Sequence, residues 1–174
     1  MQSTLDIKNL TTSALIITLG IVIPIAFHAI GMGSVFLPMY WPLATGAFFL
    51  FPRWAIVTGI ITPTLSFVLT GMPPVSPPIL PVMIAELTIL TFTISYLNQK
   101  ETLGVLWILM IGLVLSKLIL FVAAWLISPV IGLPPELISI SSVIHGLPGT
   151  VVILILVPLI VKRLINKNII VKET

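Results

Sequence analysis

Glu86 and Lys117 are the side chains that place a full charge deep inside otherwise apolar stretches of this 174-residue chain. Either one alone in hydrocarbon is costly, so each requires a partner or a polar ligand. Glu86 lies about two turns below one end of its stretch and Lys117 near the middle of the next, so adjacent antiparallel helices can bring them together. Such a pair either locks two helices or touches a polar or zwitterionic solute, and the two roles are compatible. His28 and His145 fall at the same end of their stretches, where both can line one cavity. Neutral imidazole donates and accepts a hydrogen bond, which suits a heteroaromatic ligand. Two histidines without a nearby Cys or Asp make no metal site of recognisable spacing. Tyr40, Trp41 and Trp125 sit near that end too, either as an interfacial aromatic belt or as a stacking wall for a flat ligand. Thr62, Ser66 and Thr70 recur every fourth residue and form one hydroxyl stripe, facing a cavity or packing between helices.

The elements that position these residues follow from composition. The chain is 58% hydrophobic and only 7% charged, which belongs to the bilayer class. Six apolar stretches stand out: Leu10–Ile30, Phe36–Phe51, Trp54–Thr70, Ile79–Leu97, Leu103–Ser128 and Ser139–Leu164. Six helices of about 20 residues take up roughly 120 residues, leaving short loops and one membrane domain over residues 1–174. Thr11, Thr12 and Ser13 are read as the cap of the first helix. The second stretch is short and starts irregularly at Leu37-Pro38. The prolines between Met72 and Pro78 exclude regular helix there, and Pro129 to Glu136 forms a third loop on the same side.

Seven of the eight Lys and Arg residues fall on one side of this six-span arrangement: Lys8, Arg53, Lys100, Lys162, Arg163, Lys167 and Lys172. The loops around 31–38, 72–80 and 129–138 carry none. That asymmetry puts both termini in the cytoplasm of a cell-membrane protein. The net charge of +3 is flanking charge for topology and lipid headgroups rather than for nucleic acid.

Enzyme chemistry is poorly served. There is no Gly-x-x-x-x-Gly-Lys-Ser/Thr loop for ATP, no His-Glu-x-x-His helix and no cysteine. Ser141 and Ser142 beside His145 do not form a nucleophile setting. Any ATP-derived energy must come from a partner. Ala14-x-x-x-Thr18 places two small residues on one helix face, a pattern that allows another helix to approach closely.

Several strings resemble the substrate-binding S-components of energy-coupling factor (ECF) vitamin transporters. They are Ala14-x-x-x-Thr18; Phe36-Leu37-Pro38-Met39 followed by Trp41-Pro42 and Gly46; Thr62-Pro63 through Leu69-Thr70-Gly71-Met72-Pro73-Pro74; Glu86-Leu87; and His145-Gly146-Leu147-Pro148-Gly149. The resemblance covers nearly the whole chain. It implies an all-α, six-helix membrane bundle that binds a vitamin or precursor from outside. It also implies docking on a transmembrane coupling subunit that carries two cytosolic ATPases, with no cofactor in this chain. ATP hydrolysis would then topple the bundle to open its pocket inward. In the family an Ala-x-x-x-Ala face on the first helix is the docking surface; here it is Ala14 and Thr18. The family pocket, from the outer ends of helices four to six under the first loop, points to Glu86, Lys117, Trp125 and His145 beneath a lid from Gly33 to Tyr40. With His28, Tyr40 and Trp41, these groups suit niacin, pyridoxine, hydroxymethylpyrimidine or pantothenate. The metal-transporting relatives use a histidine near the N-terminus; Gln2 stands there and argues against a metal substrate. The alternatives are a stand-alone proton-coupled carrier with Glu86 and His145 as its relay, or an assembly protein of the membrane.

Overall fold

A computed structural model describes residues 2–75, 79–131 and 140–166. Among them every regular element is a helix: α1 (Gln2–Ala29), α2 (Gly33–Phe36), α3 (Tyr40–Ala47), α4 (Pro52–Thr70), α5 (Ile79–Gln99), α6 (Val105–Ile131) and α7 (Ile140–Asn166). Five of these, α1, α4, α5, α6 and α7, are long and apolar enough to cross a membrane. Their outward faces carry bare apolar side chains, among them Leu15, Val22, Val68, Val114 and Ile155. That is how a helix surrounded by lipid differs from one in water.

The second apolar stretch differs from a single span. It breaks into α2 and α3, because Pro38 bars helical geometry at Leu37 and Leu37 takes a left-handed conformation at φ 49°. At eight residues α3 covers only about 12 Å, against roughly 30 Å of hydrocarbon. It survives because it is enclosed by protein: Leu43, Ala44 and Ala47 are fully buried, and α1, α4, α5 and α7 all pack against it. Irregular backbone at membrane depth is tolerated where protein covers it.

Helix α1 starts two turns before the expected cap. Thr11 lies inside the helix, where its hydroxyl donates to the Ile7 carbonyl one turn back at 2.9 Å and caps nothing. The helix ends in a Schellman motif: Gly31 sits at φ 72°, with its N–H on the His28 carbonyl and that of Met32 on Phe27. Pro52 opens α4 and left-handed Gly71 closes it, its N–H on the Phe67 carbonyl. Helix α6 runs on through Pro129 to Ile131, so the third loop starts later than its proline indicated; residues 132–139 lie outside the described ones.

Helices α4 and α5 touch almost backbone to backbone. A Cβ on Gly59 would lie 2.7 Å from the Thr88 Cα, and the Thr91 hydroxyl donates across the seam to the Ala55 carbonyl at 2.9 Å. Small residues and interhelical hydroxyls are the usual adhesive between helices in lipid, where burial of apolar surface gives little drive.

One end of the bundle is tied at the α3–α4 turn. Asn9 of α1 accepts from the Phe51 N–H at 3.0 Å. From α5, Ser95 donates to the Leu50 carbonyl at 2.6 Å and Asn98 to the Phe48 carbonyl at 2.8 Å. Arg53 and Asp6 form an ion pair at the same end. Charged and amide groups thus gather there, while the glycine- and proline-rich connections gather at the other end.

Candidate functional site

At that other end lies a cavity of about 580 Å³, within the size range of small-molecule sites. Its walls come from α1 (Pro24, Ile25, His28), the α2–α3 segment (Gly33, Ser34, Leu37 to Tyr40), the end of α4 (Ser66, Thr70), the following loop (Met72 to Pro74) and the start of α5 (Ile79, Met83). Four prolines and the strained Leu37 make this wall stiff.

The α2–α3 segment is held by close contacts. The His28 ring lies against Gly33, where a Cβ would come within 2.4 Å of it. On the far side the backbone of Phe36 rests on α7 at Gly149, where a Cβ would come within 2.6 Å. The Trp41 indole N–H donates to the Phe36 carbonyl at 2.9 Å, and its ring meets Phe27 edge-on at 5.1 Å. Trp41 therefore braces the α2–α3 segment and is not among the residues lining the cavity.

Beneath the cavity Tyr40, Glu86 and Lys117 come together. Glu86 is 2% exposed and ion-paired with Lys117. The Lys117 ammonium lies over the Tyr40 ring, 4.8 Å from its centre, and 3.4 Å from its hydroxyl. Two residues from adjacent helices thus meet as their depths in the sequence allowed, and a residue of the broken helix joins them. Tyr40 belongs to both groups: it lines the cavity and shields the ion pair.

The other expected residues are placed as follows. His28 lines the cavity and is exposed at its rim. Trp125 points out of the bundle at 76% exposure, the position of an aromatic belt. His145 belongs to α7, and its side chain lies outside the described ones. The hydroxyl stripe divides: Ser66 and Thr70 line the cavity, whereas Thr62 is fully buried, bonded to the Thr58 carbonyl at 2.7 Å and close to Gly20 of α1. Ala14 and Thr18 share an exposed face of α1. The Thr18 hydroxyl is turned back onto the Ala14 carbonyl at 2.8 Å, so the face offers a methyl outward and stays smooth.

Sequence reasoning missed Met72 and Met83 as cavity residues and reached Met39 only as part of the Gly33–Tyr40 segment. Their signal was weak, since methionine in an apolar run is ordinary core. It also missed the tie made by Asn9, Ser95 and Asn98; two amides at span ends in a chain this apolar were a usable signal.

A bundle of apolar helices around a broken central one, with a solute-sized cavity at one face, defines a multi-pass membrane protein built to hold a small molecule. A family model described as "ECF transporter, substrate-specific component" matches residues 8–161. The chain belongs to this family, and its place is that of the substrate-specific subunit of an ECF transporter. Membership implies partnership with the ECF module. No curated protein and no solved structure matches the chain.

Proposed function

We propose that the chain captures a small water-soluble vitamin or vitamin precursor, of the niacin, pyridoxine, hydroxymethylpyrimidine or pantothenate class, from outside the cell. It releases the vitamin inward while docked on a transmembrane coupling subunit with two cytosolic ATPases. The family match over residues 8–161 carries this reading, and the cavity at the face opposite the Arg53–Asp6 pair supports it. His28 and Tyr40 contact the substrate, the Glu86–Lys117 pair sets the polarity beneath it, and Trp41 holds the lid. His145, one turn from the lid contact at Gly149, completes the polar set; Trp125 anchors α6 at the membrane surface. Ala14 and Thr18 form the docking face. The chain is a single membrane domain with both termini in the cytoplasm. It is not an enzyme and carries no cofactor, and ATP is used only by its partners.

Native mass spectrometry of the detergent-purified chain, followed by a thermal-shift screen of B vitamins and precursors, tests the capture step. A co-purified vitamin, or a shift that saturates with one, is the expected result. No bound compound and no saturable shift would overturn it in favour of a proton-coupled carrier or an assembly protein.

A further inference from the structure

The described lining of the cavity is almost free of charge. Among its described lining residues none carries a permanent charge, and the one titratable side chain other than Tyr40 is His28, at the exposed rim. The full charges beneath it, Glu86 and Lys117, are already paired with each other, and the Tyr40 ring lies 4.8 Å from the ammonium. A carboxylate or phosphate entering this space would lose its hydration and find no free cation among the described lining residues, which is the costly case for ion burial. The lining does offer hydrogen-bonding hydroxyls on Ser66 and Thr70. It also offers the thioethers of Met39, Met72 and Met83, polarisable groups that adapt to a flat ring and make favourable contacts with aromatic edges.

We infer that the ligand is an uncharged heteroaromatic molecule with hydrogen-bonding substituents, and that the acids and phosphate esters of the same vitamins are rejected. This rests on the vitamin-capture reading and narrows it: pyridoxine and hydroxymethylpyrimidine fit, whereas nicotinate and pantothenate do not.

Matched pairs test it with the full chain in detergent at neutral pH: nicotinamide against nicotinate, pantothenol against pantothenate, and pyridoxine against pyridoxine phosphate, each followed by calorimetric titration. In every pair that binds, the neutral member is expected to bind at least about tenfold more tightly, about 1.4 kcal/mol. Ile79→Trp and Met83→Trp, which fill the cavity from α5, are each expected to abolish that binding with the ligand-free melting temperature retained in at least one of them. Equal or tighter binding of the acids overturns the inference and leaves the capture reading standing. Tight binding that survives both cavity-filling changes overturns it as well. Saturable binding by none of the six compounds, nor by hydroxymethylpyrimidine titrated alongside them, overturns the capture reading and the inference with it.

Discussion

The ammonium of Lys117 sits over the ring of Tyr40, 4.8 Å from its centre, while its charge is met by Glu86 from the neighbouring helix. This joins α3, α5 and α6 at one point, where Glu86 is buried and Lys117 only partly so. Removing one charge strands the other, and a stranded buried charge costs about 3–5 kcal/mol. Lys117→Met should therefore lower the melting temperature of the ligand-free protein sharply. The double change Lys117→Met with Glu86→Met should recover most of the loss. A double variant no more stable than the single one would show that the pair is not what Lys117 contributes.

Glu86→Gln strands an ammonium whose side chain is 31% exposed, so it should cost less stability than Lys117→Met and should alter selectivity as well. It leaves the shape of the site and frees the ammonium beside Tyr40, so a cation becomes available to an acidic ligand. Relative affinity should move toward carboxylate-bearing analogues by about tenfold, roughly 1.4 kcal/mol, in paired titrations of neutral and acidic compounds. An unchanged ratio would place Lys117 out of electrostatic reach of the ligand.

Much of this arrangement was legible in the sequence. Glu86 and Lys117 were conspicuous because so little else in the spans is charged, and their depths in adjacent helices made the pairing readable. The basic residues sorted the turns, and Pro73 and Pro74 marked the loop after α4. The break at Leu37 was half visible: Pro38 signalled an irregular start, but local pattern cannot show that a stretch of sixteen apolar residues will be enclosed by protein rather than span lipid. Helix rotation was the harder loss. In a chain apolar on all sides there is no polar face to fix which residues turn inward, so Trp41 and Trp125 looked equivalent, and the three cavity methionines looked like filler. The Gly59–Thr88 seam was hidden for a related reason, because a close approach belongs to two helices and a sequence shows one at a time.

Ala14→Trp and Thr18→Trp should separate binding from docking. Both residues lie on an exposed face of α1, away from the cavity lining, and a large ring there prevents close helix approach. Ligand affinity should stay within about twofold of the parent, well under 1.4 kcal/mol, while the coupling subunit no longer co-purifies. Retained co-purification in both variants would move the docking surface elsewhere.

Asn98→Ala and Asn9→Ala should loosen the tie at the α3–α4 turn. Each removes the side-chain partner of a backbone group in that turn, Phe48 carbonyl or Phe51 N–H, and a stranded group of this kind costs about 1–3 kcal/mol. Thermal unfolding should show the loss. Ligand affinity should hold, because the cavity lies at the opposite end. A larger effect on affinity than on melting would mean that the two ends are coupled through α3.

The central claim is that this chain delivers its ligand through an ATP-driven module and not by itself. The most direct measurement is uptake of a radiolabelled ligand by cells that express the chain with the coupling subunit and its two ATPases, compared with cells in which the phosphate-binding lysine of those ATPases is replaced. Uptake should require the coupling subunit, should be abolished by the ATPase replacement, and should be indifferent to collapse of the pH gradient while ATP is maintained. Uptake that persists without active ATPases and disappears with the pH gradient would contradict the account and make the chain a proton-coupled carrier.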